Sequence, residues 1–247
     1  MVKIGVVKQK IPFIAINFII CLTILSLSGL SGAAGNEIFS KNDSPFNISR
    51  DIWLSKWWSW SISIPNDNRQ CVMDESGPMV MLMDTALKIP SHQECQISSK
   101  QGIVIPMWTS FMEASMAENM NKSYDQLTKI AREEFDLGAI TSLVKVDGIP
   151  VAKMDVVSRV SSGVLDYKIN AMENVSEIYS KGFNITIPDD TRYPDQNTGT
   201  WRSGAHGWFV FLKPLPIGNH EIYYNVGITG LGPNNFASAI TYSLIVE

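Results

Sequence analysis

The sequence predicts an all-β fold, a β-sandwich, with one helix ahead of it and a helical hairpin inserted into it. Three observations carry this. Short β-branched and aromatic runs with a period of two recur from Met79 to Val246. Gly and Pro punctuate them at short intervals, as in a sandwich or barrel rather than in βαβ units. The run Gly207–Gly227 (GWFVFLKPLPIGNHEIYYNVG) supplies a centre. In its first strand Trp208, Val210 and Leu212 point one way and Phe209 and Phe211 the other, so both faces need cover and the strand belongs in mid-sheet.

Residues 1–35 combine a basic start, Met1 to Lys10, with an apolar run, Ile11–Leu30, and the small residues SGLSGAAG. This is the layout of a secretory signal peptide cleaved near Ala33 to Gly35. The run also reaches the ~20 residues that span a bilayer, so the alternative is an N-terminal membrane anchor over residues 11–30. Either way the remainder is extracytoplasmic, secreted or at the cell surface, and it meets a membrane only through this segment if it stays uncleaved. Without Lys3, Lys8 and Lys10 the chain keeps 17 basic and 24 acidic residues. An acidic surface with no basic cluster excludes a nucleic-acid partner, which demands phosphate-neutralising side chains. Apolar residues make up 45 %, enough for a real core.

Residues 36–49 form a flexible polar lead-in, and residues 50–247 a single domain. In SRDIWLSKWWSWSISIP, Ser49 or Asp51 caps a helix whose apolar face holds Trp53, Leu54, Trp57 and Trp60, with Ser55, Lys56 and Ser59 opposite. It stops before Pro65. A polar loop holds Cys71. Met79–Met83 is a strand, a second loop holds Cys95, and Gly102–Met107 is another strand. The pattern then turns helical over 109–138. Ser110-x-x-Glu113 and Ser123-x-x-Gln126 read as capping boxes, each followed by an apolar stripe, which predicts the inserted helical hairpin. Strands resume around Asp147-Gly148, a two-residue hairpin signal. They continue over 154–160, 164–169 and 183–187. A polar loop, Pro188–Ser203, precedes the central hairpin, and Ala239–Val246 closes the chain.

Cys21 lies in the apolar run. Cys71 and Cys95 remain as an even pair in an oxidising compartment, which predicts a disulfide closing about 25 residues and worth roughly 3 kcal/mol. Asn47, Asn121, Asn174 and Asn184 fit N-x-[S/T] and are glycosylation candidates, with Asn121, Asn174 and Asn184 expected at the surface; Pro45 weakens a further sequon at Asn42.

No catalytic constellation is identifiable. His92, His206 and His220 are scattered, and no metalloprotease, nucleophile-elbow or phosphate-loop motif occurs. Met79, Met81 and Met83 share a strand face and offer thioether ligands for copper, with Met112, Met116 and Met120 as a second stripe, but the same spacing serves core packing. Asp189, Asp190, Asp195 and Asn197 make a fragment of a calcium loop that lacks the distal Glu. The clustered tryptophans suit either sugar stacking or burial against the sheet, and helical spacing favours burial. No cofactor is implied.

Several segments recur in order: W-x-x-x-W-W-x-W-x-x-S-I-P (Trp53–Pro65), Cys71 with Gly77-Pro78 and Leu82, Cys95 with Ile105-Pro106, V-D-G-x-x-V (Val146–Val151) with R-V-S-S (Arg159–Ser162), and G-W-F-V-F-L-x-P-L-P-x-G-x-H (Gly207–His220). Together they resemble a group of exported, functionally uncharacterised proteins of archaea and bacteria, over roughly residues 53 to 228. The Met-rich strand departs from that pattern, where larger aromatic residues follow Gly-Pro. The ending P-L-P-x-G-x-H-x-I-x-Y is similar to the last hairpin of immunoglobulin-like sandwiches, so the implied fold is immunoglobulin-like or jelly-roll-like. The expected function is a non-enzymatic binding or structural module with an unknown surface or envelope partner, contacted through the loops Pro188–Ser203 and Leu231–Phe236. The alternatives are a carbohydrate-binding or glycoside-active protein using exposed tryptophans, among them Trp201, and a copper handler using the methionines.

Overall fold

In the computed structural model the chain divides into two units, Met1–Gly32 and Ala33–Glu247. The structure describes residues 38–65, 71–83, 91–133, 139–161, 164–193, 196–229 and 235–247, all in the second unit. After a 3-10 turn at Pro45–Asn47 come α1 (Arg50–Ser63), β1 (Met73–Asp74), β2 (Met79–Leu82), β3 (His92–Ile97) and β4 (Gly102–Glu113). Then follow α2 (Tyr124–Glu133), β5 (Ala139–Val146), β6 (Ile149–Ser161), β7 (Val164–Ala171), β8 (Ser176–Tyr179) and β9 (Phe183–Ile187). The chain finishes with β10 (Gly199–Leu212), β11 (Gly218–Thr229) and β12 (Phe236–Val246).

The fold is mostly β, in two facing sheets. The first runs β1-β2-β4-β10-β8, with β9 also on β10; the second runs β3-β12-β11-β5-β6-β7. Pairing is antiparallel except β2 with β4 and β3 with β12. One core fills the space between the sheets and includes Trp208, Val210 and Leu212 of β10 with Ile222, Tyr224 and Val226 of β11. A second core lies on the far side of the first sheet, where Phe209 and Phe211 meet Trp53, Trp57 and Trp58 of α1. β10 is therefore covered on both faces, as its uninterrupted apolar run requires.

α1 is poor in strong helix formers and is held by docking. Its buried face is Trp53, Leu54, Trp57, Trp58 and Ile62, while Trp60 is half-buried. Each buried indole N–H has an acceptor: Trp53 the carbonyl of Pro45 (3.1 Å), Trp57 that of Leu82 (2.8 Å) and Trp58 the hydroxyl of Thr109 (3.0 Å). At ~25 cal/mol per Å² each ring contributes at most about 4–6 kcal/mol.

Three expectations need correction. First, 109–138 is not a helical hairpin. Residues 109–113 continue β4, paired residue for residue with β10 from Ser203 to Gly207, and only α2 is helical. Ser110-x-x-Glu113 cannot cap a helix once its backbone groups are in a ladder. Ser123-x-x-Gln126 does: the Ser123 N–H donates to Gln126 Oε1 (2.8 Å) and the Gln126 N–H to Ser123 Oγ (3.3 Å). Residues 134–138 lie outside the described residues. Second, Gly207–Gly227 is not a hairpin. β10 and β11 belong to different sheets, and residues 213–217 cross between them. Pro214 and Pro216 have no N–H for a ladder, and Leu215 is buried in the inter-sheet core. Third, His92 and Cys95 lie on β3 rather than in a loop, and the loop Pro188–Ser203 becomes strand from Gly199.

The Asp147-Gly148 turn forms between β5 and β6, with φ of 51° and 79°. Both residues at positive φ is the two-residue hairpin geometry, and the second position favours glycine.

Candidate functional site

The end of the sandwich where the chain crosses between sheets gathers parts from four regions. β10 stops at Leu212, and the lead-in joins it there: Ile38 bridges Leu212, and the Phe39 N–H donates to the Phe211 carbonyl (2.9 Å). The β5–β6 turn lies alongside. Asp147 Oδ1 accepts the Glu221 N–H, and the Asp147 N–H donates to the Glu221 carbonyl, both at 2.8 Å. His220 ties turn and crossover together, with Nδ1 2.8 Å from Asp147 Oδ2 and Nε2 2.9 Å from the Pro216 carbonyl. A carboxylate and a carbonyl both accept, so each ring nitrogen of His220 faces an acceptor and the ring acts as a clamp between turn and crossover.

Among the clefts that open at this end, two adjoin the lead-in or the His220 clamp. The first, about 500 Å³, is lined by Ile38, Phe39, Pro150, Val151, Met172 and Asn174 among others. Asn174 Nδ2 donates to the Val151 carbonyl, while its Oδ1 is buried with no hydrogen-bond partner among the described residues. The second, also about 500 Å³, holds Glu94, Asp147, His220, Glu221 and Ser243. Both fall within the size range of small-ligand sites. The first sets Ile38, Phe39, Pro150, Val151 and Met172 against Ser40, Lys41, Asn42, Glu173 and Asn174. The second is acidic around the His220 clamp.

A separate polar cluster lies where α2 covers β8 and β10. The His206 side chain is 0 % exposed, and its Nε2 is 3.0 Å from Glu177 Oε1. The Tyr179 hydroxyl donates to the same oxygen (2.5 Å), its ring lies 4.6 Å from the imidazole, and Arg132 sits 5.4 Å from the Tyr179 ring. Burial holds His206 below its ordinary pKa, partly opposed by Glu177. Burial alone pushes the Glu177 carboxyl up, but hydrogen bonds from His206 and Tyr179 and the nearby positive charge outweigh it and hold the group below its usual range. An imidazole sealed this way reaches no substrate. His92 on β3 is exposed, 3.7 Å from Glu94, and lines neither cleft.

The remaining sequence candidates separate. Met79 and Met81 pack among the tryptophans under α1, whereas Met83 sits in a different cluster with Ile64 and Val72. All three are buried, which is core packing. Met112 is on β4, and Met116 and Met120 are exposed in the turn beyond it, so no helical methionine stripe exists. Asp189 and Asp190 are exposed in a turn, Asp195 lies outside the described residues, and the Asn197 amide donates to Ser115 Oγ (2.9 Å). Among the described residues no group of three His, Cys, Asp or Glu could hold a metal ion. Burial of Trp53, Trp57 and Trp58 removes the helix as a sugar platform. Trp201 is half-buried, with its N–H on the Asn197 carbonyl (2.9 Å).

Cys71 and Cys95 form a disulfide, with Cα atoms 5.4 Å apart. Asn47, Asn121 and Asn184 are exposed, but Asn174 is half-buried because its amide caps Val151. Of the expected contact loops, residues 188–193 are tied to α1, where Thr191 Oγ1 donates to the Ile62 carbonyl (2.7 Å) and the Tyr193 hydroxyl meets Ser61 Oγ (2.7 Å). In Leu231–Phe236, residues 231–234 lie outside the described residues. No described helix is long and apolar enough to cross a membrane.

The sequence did not announce the clefts. Their walls come from residues 38–42, 150–151 and 172–174 in one case and from 94–96, 147, 219–221 and 243–245 in the other. The one available signal was Asp147-Gly148, which places Pro150 at a sheet end. Comparison of the chain with protein-family models, with curated proteins and with solved structures returned no match.

Proposed function

We propose that this is an exported, envelope-associated β-sandwich that works by binding, without catalysis, through the crossover end. The observation that carries the reading is the cleft of about 500 Å³ whose lining joins Ile38 and Phe39 of the lead-in to Pro150, Val151 and Met172 of the body. A concave site of that size with mixed apolar and polar walls is the usual form of a small-ligand site. The disulfide fits an oxidising location, and the two histidines nearest to clefts or polar clusters are committed to structural partners. The finer type, immunoglobulin-like or jelly-roll-like, and the kinship with exported archaeal and bacterial proteins belong to the same proposal.

The test is retention of the purified chain on isolated cell envelopes, with and without Met172→Trp, which fills the cleft from an exposed position. Retention should fall at least tenfold while the melting temperature holds. Equal retention by both proteins defeats the reading.

A further inference from the structure

We infer, building on that reading, that the crossover end is the face this protein lays against a lipid bilayer, with Ile217 and Ile149 entering the interface. Ile217 is 75 % exposed and Ile149 49 %, and each occupies a tip at this end. Ile245 (55 %), paired with Asn219, lies beside the first tip. One exposed isoleucine is ordinary. Three large apolar side chains brought to one end from the crossover, a hairpin turn and a strand end form an anchoring patch. The Asp147–His220–Pro216 clamp already holds the two tips together, so little remains to be ordered on contact.

The path of the chain says what covers the patch. The lead-in joins the body at this same end, through Ile38 on Leu212. Residues 31 to 37 separate Ile38 from the apolar run 11–30. An extended chain covers about 3.5 Å per residue, so a run held in a bilayer keeps Ile38 within about 25 Å of it. Charge says which lipid is needed. Lys41, Lys100, Lys145 and Lys213 here stand against Asp43, Glu94, Asp147, Glu173, Glu221 and Glu247, so acids outnumber bases and no basic cluster reads anionic headgroups. The contact is apolar, and zwitterionic lipid suffices.

The experiment uses the full chain with Cys21→Ser and the Cys71–Cys95 disulfide intact, carrying one free cysteine at Ile217→Cys, Ile149→Cys or Ala237→Cys. Each is labelled with an environment-sensitive fluorophore in phosphatidylcholine vesicles with and without doxyl lipid. Ala237 pairs with Gly227, so it lies about 30 Å along β11 from the tip at 3.4 Å per residue. Probes at 217 and 149 should shift to the blue and be quenched at least twofold, unchanged by salt, while the probe at 237 stays water-like. Ile217→Asp should halve the quenching seen at 149. Failure to associate with vesicles, water-like probes at 217 and 149, equal quenching at all three sites, or an unchanged 149 signal in the Ile217→Asp protein overturns the inference. Retention on envelopes with water-like probes leaves the cleft reading standing and removes this one. Lipid contact with undiminished retention of Met172→Trp does the reverse.

Discussion

At the scale of single residues, the buried His206 makes stability depend on pH. Its pKa in the folded chain lies below the ordinary 6.5, because burial disfavours the imidazolium more than Glu177 favours it. Between the two values the unfolded chain binds a proton that the folded chain does not, so stability falls as pH drops through this window. Glu177, also held below its ordinary value, adds a loss of the same sign below about pH 4.5. The melting temperature should therefore decline from pH 7.5 to 5.5. In His206→Gln, which keeps a donor for Glu177 and cannot titrate, the decline over that range should be clearly shallower. Circular dichroism melts across the series check this, and parallel slopes for both proteins would remove His206 as the cause.

At the scale of elements, α2 and β10 touch without an intervening side chain. A Cβ at Gly204 would stand 2.2 Å from the backbone nitrogen of Thr128, a contact the helix backbone cannot relieve by a rotamer change. The helix is otherwise fixed by Thr128 Oγ1 on the Ser180 carbonyl (3.2 Å) and by Ser110 Oγ on that of Ala131. Gly204→Ala should push α2 off the sheet, cost about 1–3 kcal/mol in urea unfolding, and raise amide exchange across 124–133 ahead of the strands. The same element shows how far the sequence could be followed. Two capping boxes were written in the stretch 109–138 that contains it, and one is used. Ser123 and Gln126 act alone, because a cap is a local arrangement. Ser110 and Glu113 face a strand partner nearly a hundred residues later, and the ladder outcompetes the local signal.

At the scale of the molecule, the sheets are tied at one edge by covalent and polar links. Cys71, ahead of β1 in the first sheet, is bonded to Cys95 on β3 in the second. Beside it the Val72 N–H donates to Gln93 Oε1 (3.0 Å). The buried Tyr242 hydroxyl donates to the Val72 carbonyl (3.2 Å) and accepts the Met83 N–H (3.1 Å). Replacing both cysteines by serine should lower the unfolding free energy by about 3 kcal/mol, a large share of the 5–15 kcal/mol of a typical domain. Urea titration of the double variant measures it. A change below about 1 kcal/mol would show that the polar links alone hold this edge.

The amino-acid sequence by itself determined which way side chains point and where short-range geometry is forced. The two-sided apolar run of β10, the Asp147-Gly148 turn, the Ser123 cap and the pairing of the cysteines left after the apolar run are properties of neighbours in the chain or of composition. The tertiary structure alone decided which strands pair. It turned the central hairpin into a crossover between sheets, extended β4 through residues written in helical spacing, and assembled the clefts and the apolar tips from segments that share no motif. The reason is physical: strand direction is set by sterics within a few residues, whereas pairing is set by competition among distant backbone donors and acceptors, which no local window contains.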